Sequence, residues 1–383
     1  MISVIGYYTT QFGELWDKSL SDLIKEVILG VLRNTGLDKK QIDAIFFANM
    51  LAGVLENNLH TPSKIAEILG VNVPIFRVEA ACASGGVAFS LANNYLEAYS
   101  DKTILVIGAE KMTDYSPEET TSALASAASG EEQEAGLTFP GLYALMANYY
   151  LQKYKYTEEN LAHVSYKNHY HGSLNDKAHF RKIISVEQVM QSPYVAYPLK
   201  VLDCCSTSDG ASAVVLTNLH SLKNKTKKTV EVLASEVATD SISLKERNRI
   251  DEILATKIAG DKAFVKSKIR RKDIKVAEVH DCFSIAELLA MEDLGFWKKG
   301  EGGKRIKELQ TMYGSNGDLM VNTSGGLKAS GHPVGATGIK QIGEIFLQLT
   351  GQAKNRQVKK AKFGLAHNVG GSGGTAVVTI LGA

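Results

Sequence analysis

The chain has 383 residues, 44% hydrophobic and 22% charged, which suits two or three domain-sized units or one large α/β body. A net charge of +2 makes no case for nucleic acid, and four cysteines (Cys82, Cys204, Cys205, Cys282) form neither a disulfide framework nor a CxxC zinc site. No apolar run reaches the roughly 18 residues of a membrane span and the start lacks a signal-peptide pattern, so a cytoplasmic protein with reduced thiols is expected.

Met1–Tyr7 reads as a first strand, Ser19–Leu32 as a helix, and Ile42–Met50 as a second strand. Val78–Gly86 then runs from an apolar segment into small residues and a helical pattern, with Cys82 at the junction. A cysteine beside free N–H groups at a helix start is drawn toward thiolate; a small buried core cysteine is the bland alternative. Lys102–Gly108 has the continuous apolar character of a parallel-sheet strand. From about 115 to 200 the chain is rich in Ala, Tyr, Ser and Glu and holds three helical patterns without a central strand. It reads as an inserted helical lobe. Cys204 and Cys205 read as structural, near the last strand of the first half.

Ser208–Leu216 resembles Gly371–Leu381, and Val78–Phe89 resembles Val321–Ala336. The repetition predicts two copies of one α/β unit. The expected division is an N-terminal half (1–114, completed by 200–221), an inserted lobe (115–199) and a C-terminal half (222–383), joined at Leu222–Lys228.

The second half carries three more constellations. In Glu278–Ser284, His280 and Cys282 alternate along an extended segment and share a face, an acid/base arrangement; a capped helix start at Asp281 or Ser284 reads the same residues structurally. Asn322–Gly338 is glycine-dense, and Pro333 holds His332 extended. It lacks GxxxxGK[ST], so a nucleotide loop is weakly supported. His367–Gly374 offers a glycine turn whose N–H groups suit an oxyanion, or merely a turn before the last strand.

Taken in order, these four segments resemble the thiolase superfamily, and within it the sterol-carrier-protein-2-type thiolases and archaeal acetyl-CoA acetyltransferases. His280–Phe283 and His367–Gly371 match the variants of that group. The resemblance implies a five-layer αβαβα fold with duplicated halves and an inserted loop domain over the coenzyme A site. It implies reversible condensation of two acetyl-CoA. Cys82 would carry the acetyl group, His332 would take its proton, and Cys282 would be the second acid/base. His280 and His332 would bind the enolate oxygen, and the N–H groups of Cys82 and Gly370 the tetrahedral oxyanion. Tyr143 and Met146 would cover the pantetheine arm. No metal or cofactor is implied beyond coenzyme A thioesters (acetyl-CoA, acetoacetyl-CoA). A homodimer or homotetramer, hydroxymethylglutaryl-CoA synthase, and a small zinc-ribbon/OB-fold protein are the implied partners, with a place at the first step of the mevalonate pathway. A 3-ketoacyl-CoA thiolase of broader chain length, a decarboxylating ketosynthase and a non-catalytic scaffold are the rival readings.

Overall fold

The computed structural model describes residues 1–220, 222 and 228–383; most of the expected joint at Leu222–Lys228 lies outside the described residues. The first half supplies β1 (Ser3–Thr9), α1 (Leu20–Thr35), β2 (Ala44–Ala48), α2 (Thr61–Leu69), β3 (Ile75–Val78), α3 (Ser84–Ala98) and β4 (Thr103–Glu110). Local chemistry sets α1: the Ser19 side chain accepts from the Asp22 N–H in a capping box, and Gly36 ends the helix at φ 67.

The lobe follows with α4 (Pro117–Ala125), α5 (Gly130–Glu134), α6 (Phe139–Tyr154), α7 (Glu158–Ser173) and α8 (Val186–Gln191). A small hairpin, β5 (Tyr194–Ala196) and β6 (Leu199–Lys200), closes it before β7 (Gly210–Thr217). The second half holds β8 (Val230–Thr239), α9 (Leu254–Ser267), β9 (Val276–Glu278), α10 (Ser284–Asp293), α11 (Gly302–Lys307), β10 (Met320–Val321), α12 (Gly326–Ser330), α13 (Val334–Leu349), β11 (Phe363–Gly370) and β12 (Thr375–Gly382).

The strands run β10-β9-β11-β12-β8-β1-β7-β4-β2-β3. Each half uses its strands in the same spatial order, so the duplication read from the sequence is a structural one. The halves meet through a short antiparallel contact, Ser3 with Glu231 and Val4 with Val230. Alternation along the strands sorts the cores. Ile45 and Phe47 face outward onto Leu23, Val27 and Val31 of α1. Ala44 and Phe46 face inward, into a core shared by α3 (Ala88, Phe89, Ala92), α13 (Ile339, Ile342, Ile345) and the second half (Val276, Ala366). Ala259 and Ala263 of α9 cover the far face of the second half with Val378 and Ile380. Five layers result, with α3 and α13 in the middle.

Those two helices meet at glycine. A Cβ on Gly338 would stand 2.2 Å from the Gly86 nitrogen, and one on Gly85 would stand 2.9 Å from the nitrogens of Gly338 and Ile339. Only hydrogen at these positions allows so close an approach. The lobe is keyed to the second half by buried charge. Lys167 pairs with Glu287 at 2.9 Å, and the Asn168 amide donates to Asp281 and Glu287.

Candidate active site

Cys82 sits in the turn between β3 and α3, and Ala81 before it is left-handed (φ 50), a conformation costing an ordinary residue about 1–2 kcal/mol. The turn is braced. The Ser84 hydroxyl accepts from the Ala80 N–H at 2.9 Å and donates to the Ala81 carbonyl at 2.6 Å, and Glu79 accepts from the Ala81 N–H. Burial pushes the Cys82 thiol up to about 12; the N–H groups of Gly371 and of Cys82 itself oppose this, and Glu110 adds to it. The expected pull toward thiolate is thus overturned in the resting site: desolvation outweighs the helix start, and the sulfur needs a base.

His332 lies in the turn before α13. Its Nδ1 meets the Thr337 hydroxyl at 2.7 Å, and that hydroxyl donates its one hydrogen to the Pro333 carbonyl. The ring therefore donates from Nδ1, leaving a lone pair on the buried, unpartnered Nε2. Burial holds this imidazole down to about 3, so it is neutral and basic in form.

His280 follows β9. Its ring stands 5.1 Å from that of His332, nearly perpendicular, and its Nε2 is also buried and unpartnered. Burial first, then His332 and His367, hold it well below the usual histidine range. One ring nitrogen of each histidine and the Cys82 sulfur all lie within 4.8 Å of one another.

Cys282 lies on the same cavity as Cys82 and His332. Both it and Cys82 line a cavity of about 170 Å³ with Met112, Phe139, Tyr143 and His332. Burial raises its thiol well above the ordinary value, Cys205 adds to this, and the Tyr143 hydroxyl opposes it. That hydroxyl donates to the Gly371 carbonyl at 3.1 Å, and the Tyr143 ring rests on Phe283 at 4.7 Å.

The Gly371 N–H lies beside the Cys82 sulfur, and Gly370, the expected oxyanion donor, ends β11 opposite Thr375, where a Cβ would strike the Ala80 carbonyl. Three details differ from the sequence reading. Met146 faces inward from α6, in the core formed with Leu142 and Tyr150, and does not line the cavity. Cys204 and Cys205 are wall residues of the cavity: the Cys205 N–H donates to the Cys282 carbonyl at 2.9 Å, and Cys204 bridges Phe283. All four cysteines therefore face one space. Finally, the residue before α10 is Phe283, without a side-chain cap; Asp281 instead accepts from the N–H groups of Leu327 and Lys328 at the start of α12.

Sequence reasoning assigned no role to Asn368 or Glu110. Glu110 accepts from Asn49, Met50, Leu51 and Gly335, tying the start of α13 to the chain end of β2. Asn368 touches both Cys82 and His280. Asn368 stood in a noticed motif, but only spatial proximity reveals its contacts.

Residues 2–220 match the family described as "Thiolase, N-terminal domain", and residues 236–383 the one described as "Thiolase C-terminal domain-like". A protein of Methanothermobacter thermautotrophicus named acetyl-CoA acetyltransferase is 45% identical over 381 residues, covering 99% of this chain and 98% of its own length. One of the same name from Methanocaldococcus jannaschii is 44% identical over 388 residues, with 99% and 98% covered. Among solved structures, the Ltp2-ChsH2(DUF35) aldolase superposes with a TM-score of 0.82 at 22% identity, over 100% of this chain and 97% of its own.

Proposed function

The chain belongs to the thiolase family and is an acyltransferase, and on that premise we propose that it condenses two molecules of acetyl-CoA into acetoacetyl-CoA through an acetyl-cysteine. The observation that carries this reading is that Cys82, His332 and Cys282, from three separate turns, line one small apolar cavity, with a His280 ring nitrogen within 4.8 Å of the Cys82 sulfur.

In the first stage Cys82 Sγ attacks the thioester carbon while His332 Nε2 takes its proton. The carbonyl oxygen becomes an oxyanion, held by the N–H groups of Cys82 and Gly371. Collapse breaks the C–S bond, and Cys282 gives its proton to the departing coenzyme A sulfur. The raised affinity of Cys282 for a proton suits the next stage, because the thiolate left behind is strongly basic.

In the second stage that thiolate removes a methyl proton from a new acetyl-CoA. The growing charge on its thioester oxygen falls to the Nε2 side of His280 and to the now protonated His332. The carbanion attacks acetyl-Cys82, and the released Cys82 thiolate recovers its proton from His332. Every proton is returned, so no metal or redox group enters the scheme. A cavity near 170 Å³ suits an acetyl or acetoacetyl group.

Condensation is uphill, so we place the enzyme beside a consumer of acetoacetyl-CoA, at the first step of the mevalonate pathway, as a cytoplasmic homo-oligomer. Hydroxymethylglutaryl-CoA synthase and a small zinc-ribbon/OB-fold protein are the proposed partners. A solved structure of the same fold is named with a DUF35 component, which supports a partner protein. No helix among the described residues is long and apolar enough to cross a membrane.

Cys282→Ala tests the scheme. It should still acquire labelled acetyl from excess acetyl-CoA, because coenzyme A can leave as a thiolate, yet condense about 10²–10⁴-fold more slowly, the usual worth of a general acid/base. Condensation near the wild-type rate removes Cys282 from the mechanism. Activity with malonyl thioesters but none with acetoacetyl-CoA plus coenzyme A overturns the whole reading.

A further inference from the structure

His280 serves the second stage only if its free nitrogen carries a hydrogen, since a developing enolate oxygen needs a donor. Imidazole offers the hydrogen on either nitrogen, and which one it occupies is decided by what faces Nδ1. What faces Nδ1 here is Asn368, buried at 3% exposure.

The orientation of the Asn368 amide is fixed from both ends. Its Oδ1 accepts from the Gly86 N–H at 3.0 Å, and its Nδ2 donates to the Cys82 carbonyl at 2.9 Å. A flipped amide would set donor against donor at Gly86 and acceptor against acceptor at Cys82. The second hydrogen of Nδ2 then points at His280 Nδ1, 3.2 Å away. Nδ1 must accept, so the ring hydrogen is on Nε2, aimed into the site. The neighbouring residue holds the same segment: His367 Nδ1 accepts from the His280 N–H at 3.4 Å, and its Nε2 meets the Thr256 hydroxyl at 2.8 Å.

We propose that Asn368 is a positioning residue that locks His280 in the Nε2–H tautomer, making it the complement of His332, whose Nε2 holds a lone pair. Two histidines 5.1 Å apart thereby carry opposite duties, a donor for the enolate oxygen and an acceptor for the Cys82 proton. The division is set by one amide and one threonine hydroxyl. This inference rests on the proposed role of His280 in the carbanion stage.

Asn368→Asp is the informative change. An aspartate oxygen in place of Nδ2 accepts, so the ring hydrogen moves to Nδ1 and Nε2 turns a lone pair toward the enolate. Condensation should fall about 10²–10³-fold further than self-acetylation, as for loss of one oxyanion donor, while self-acetylation falls only as far as the lost Asn368–Cys82 hydrogen bond requires. A merely structural role would not respect the next comparison. In a His280→Gln background, where the donor is an amide with no tautomer, adding Asn368→Asp should change the ratio of condensation to self-acetylation less than about 3-fold, by the logic of a double-mutant cycle. A second multiplicative loss there overturns the inference.

Asn368→Ala, which adds no buried charge, guards against a folding failure and should show the same stage selectivity. A direct readout needs no turnover: ring ¹⁵N shifts of histidine-labelled full-length protein, with His280 identified by its absence in His280→Gln. A hydrogen on Nδ1 of His280 in the wild type overturns the inference. If Nε2 carries it but His280→Gln condenses normally, the assigned role of His280 fails instead.

Discussion

Replacing Gly338 by alanine sets two magnitudes against each other. Gly338 lies inside α13 with helical backbone, so alanine there gains about 1 kcal/mol of helix propensity. Its Cβ, however, would stand 2.2 Å from the Gly86 nitrogen, 2.3 Å from Asn368 Oδ1 and 2.7 Å from the Gly85 carbonyl carbon. Two of these are backbone atoms of the neighbouring helix, so no rotamer change relieves them. Overpacking of this kind costs about 3 kcal/mol at the upper end of its range, leaving a net loss of about 2 kcal/mol. Relief to ordinary contact moves α3 and α13 apart by about 1.2 Å. Cys82 precedes one helix and His332 the other, so the nucleophile and its base separate with them. A misplacement near 1 Å costs about 10²-fold in rate, or about 2.7 kcal/mol of barrier. Denaturant midpoint and stopped-flow self-acetylation measured on one preparation give both quantities. A variant that is more stable than wild type and acetylates normally refutes the close-approach reasoning.

Two further outcomes are expected. Asp209 is fully buried and accepts from Lys111 at 2.6 Å and from the N–H groups of Leu15, Met112 and Thr113; Asp209→Ala should cost about 3–5 kcal/mol by chemical denaturation, and a loss under 1 kcal/mol contradicts the buried-pair assignment. Burial lowers His169 to about 4 and His332 and His367 to about 3, and holds His171 and His280 well below the ordinary histidine value, while it raises Glu110, Asp281 and Asp293 to about 7. The unfolded histidines take up protons near pH 6.5, so their contribution is complete above that value and is lost as pH falls toward 3; the three carboxyls have the opposite slope between about pH 4 and 7. Burial also lowers His179 and raises Glu56, Asp203 and Glu278, so the two sets offset each other. Asp293→Asn removes one raised carboxyl and should steepen the loss of stability on acidification below pH 6 by up to about 1.4 kcal/mol per pH unit; an unchanged slope in denaturant titrations would falsify the assignment.

Much of the site was legible because its chemistry is written in short segments. Cys82 and His332 stand in small-residue turns where no bulky neighbour competes, and His280 and Cys282 alternate on a single strand end. The duplication also shows in one dimension, because β7 and β12 take equivalent places and repeat the same composition. What stayed hidden depends on the third dimension. Nothing local tells that residues 204–205 cross beside 282–283, so Cys205 read as a structural residue. That Gly371 also faces Cys82 goes with its left-handed backbone, φ 61, which spacing does not show. The direction of the Cys82 proton affinity was misread for the same reason: a helix start is local, whereas burial is a property of the assembled cavity. Asn368 was visible as a letter in a motif, but its two hydrogen-bonded faces belong to segments 282 and 88 residues away.

The middle layer carries a cost during synthesis. α3 is finished when the ribosome has made Ala98, but α13 begins only at Val334, 236 residues later. At about 5–20 residues per second that is a delay of roughly 10–50 s. Throughout it, Ala88, Phe89, Ala92 and Leu96 lack the partner that later seals them. The emerging chain therefore presents a sticky helix for far longer than a small domain takes to fold. An N-terminal half made alone would keep that face permanently, and holding it in solution is work for a chaperone.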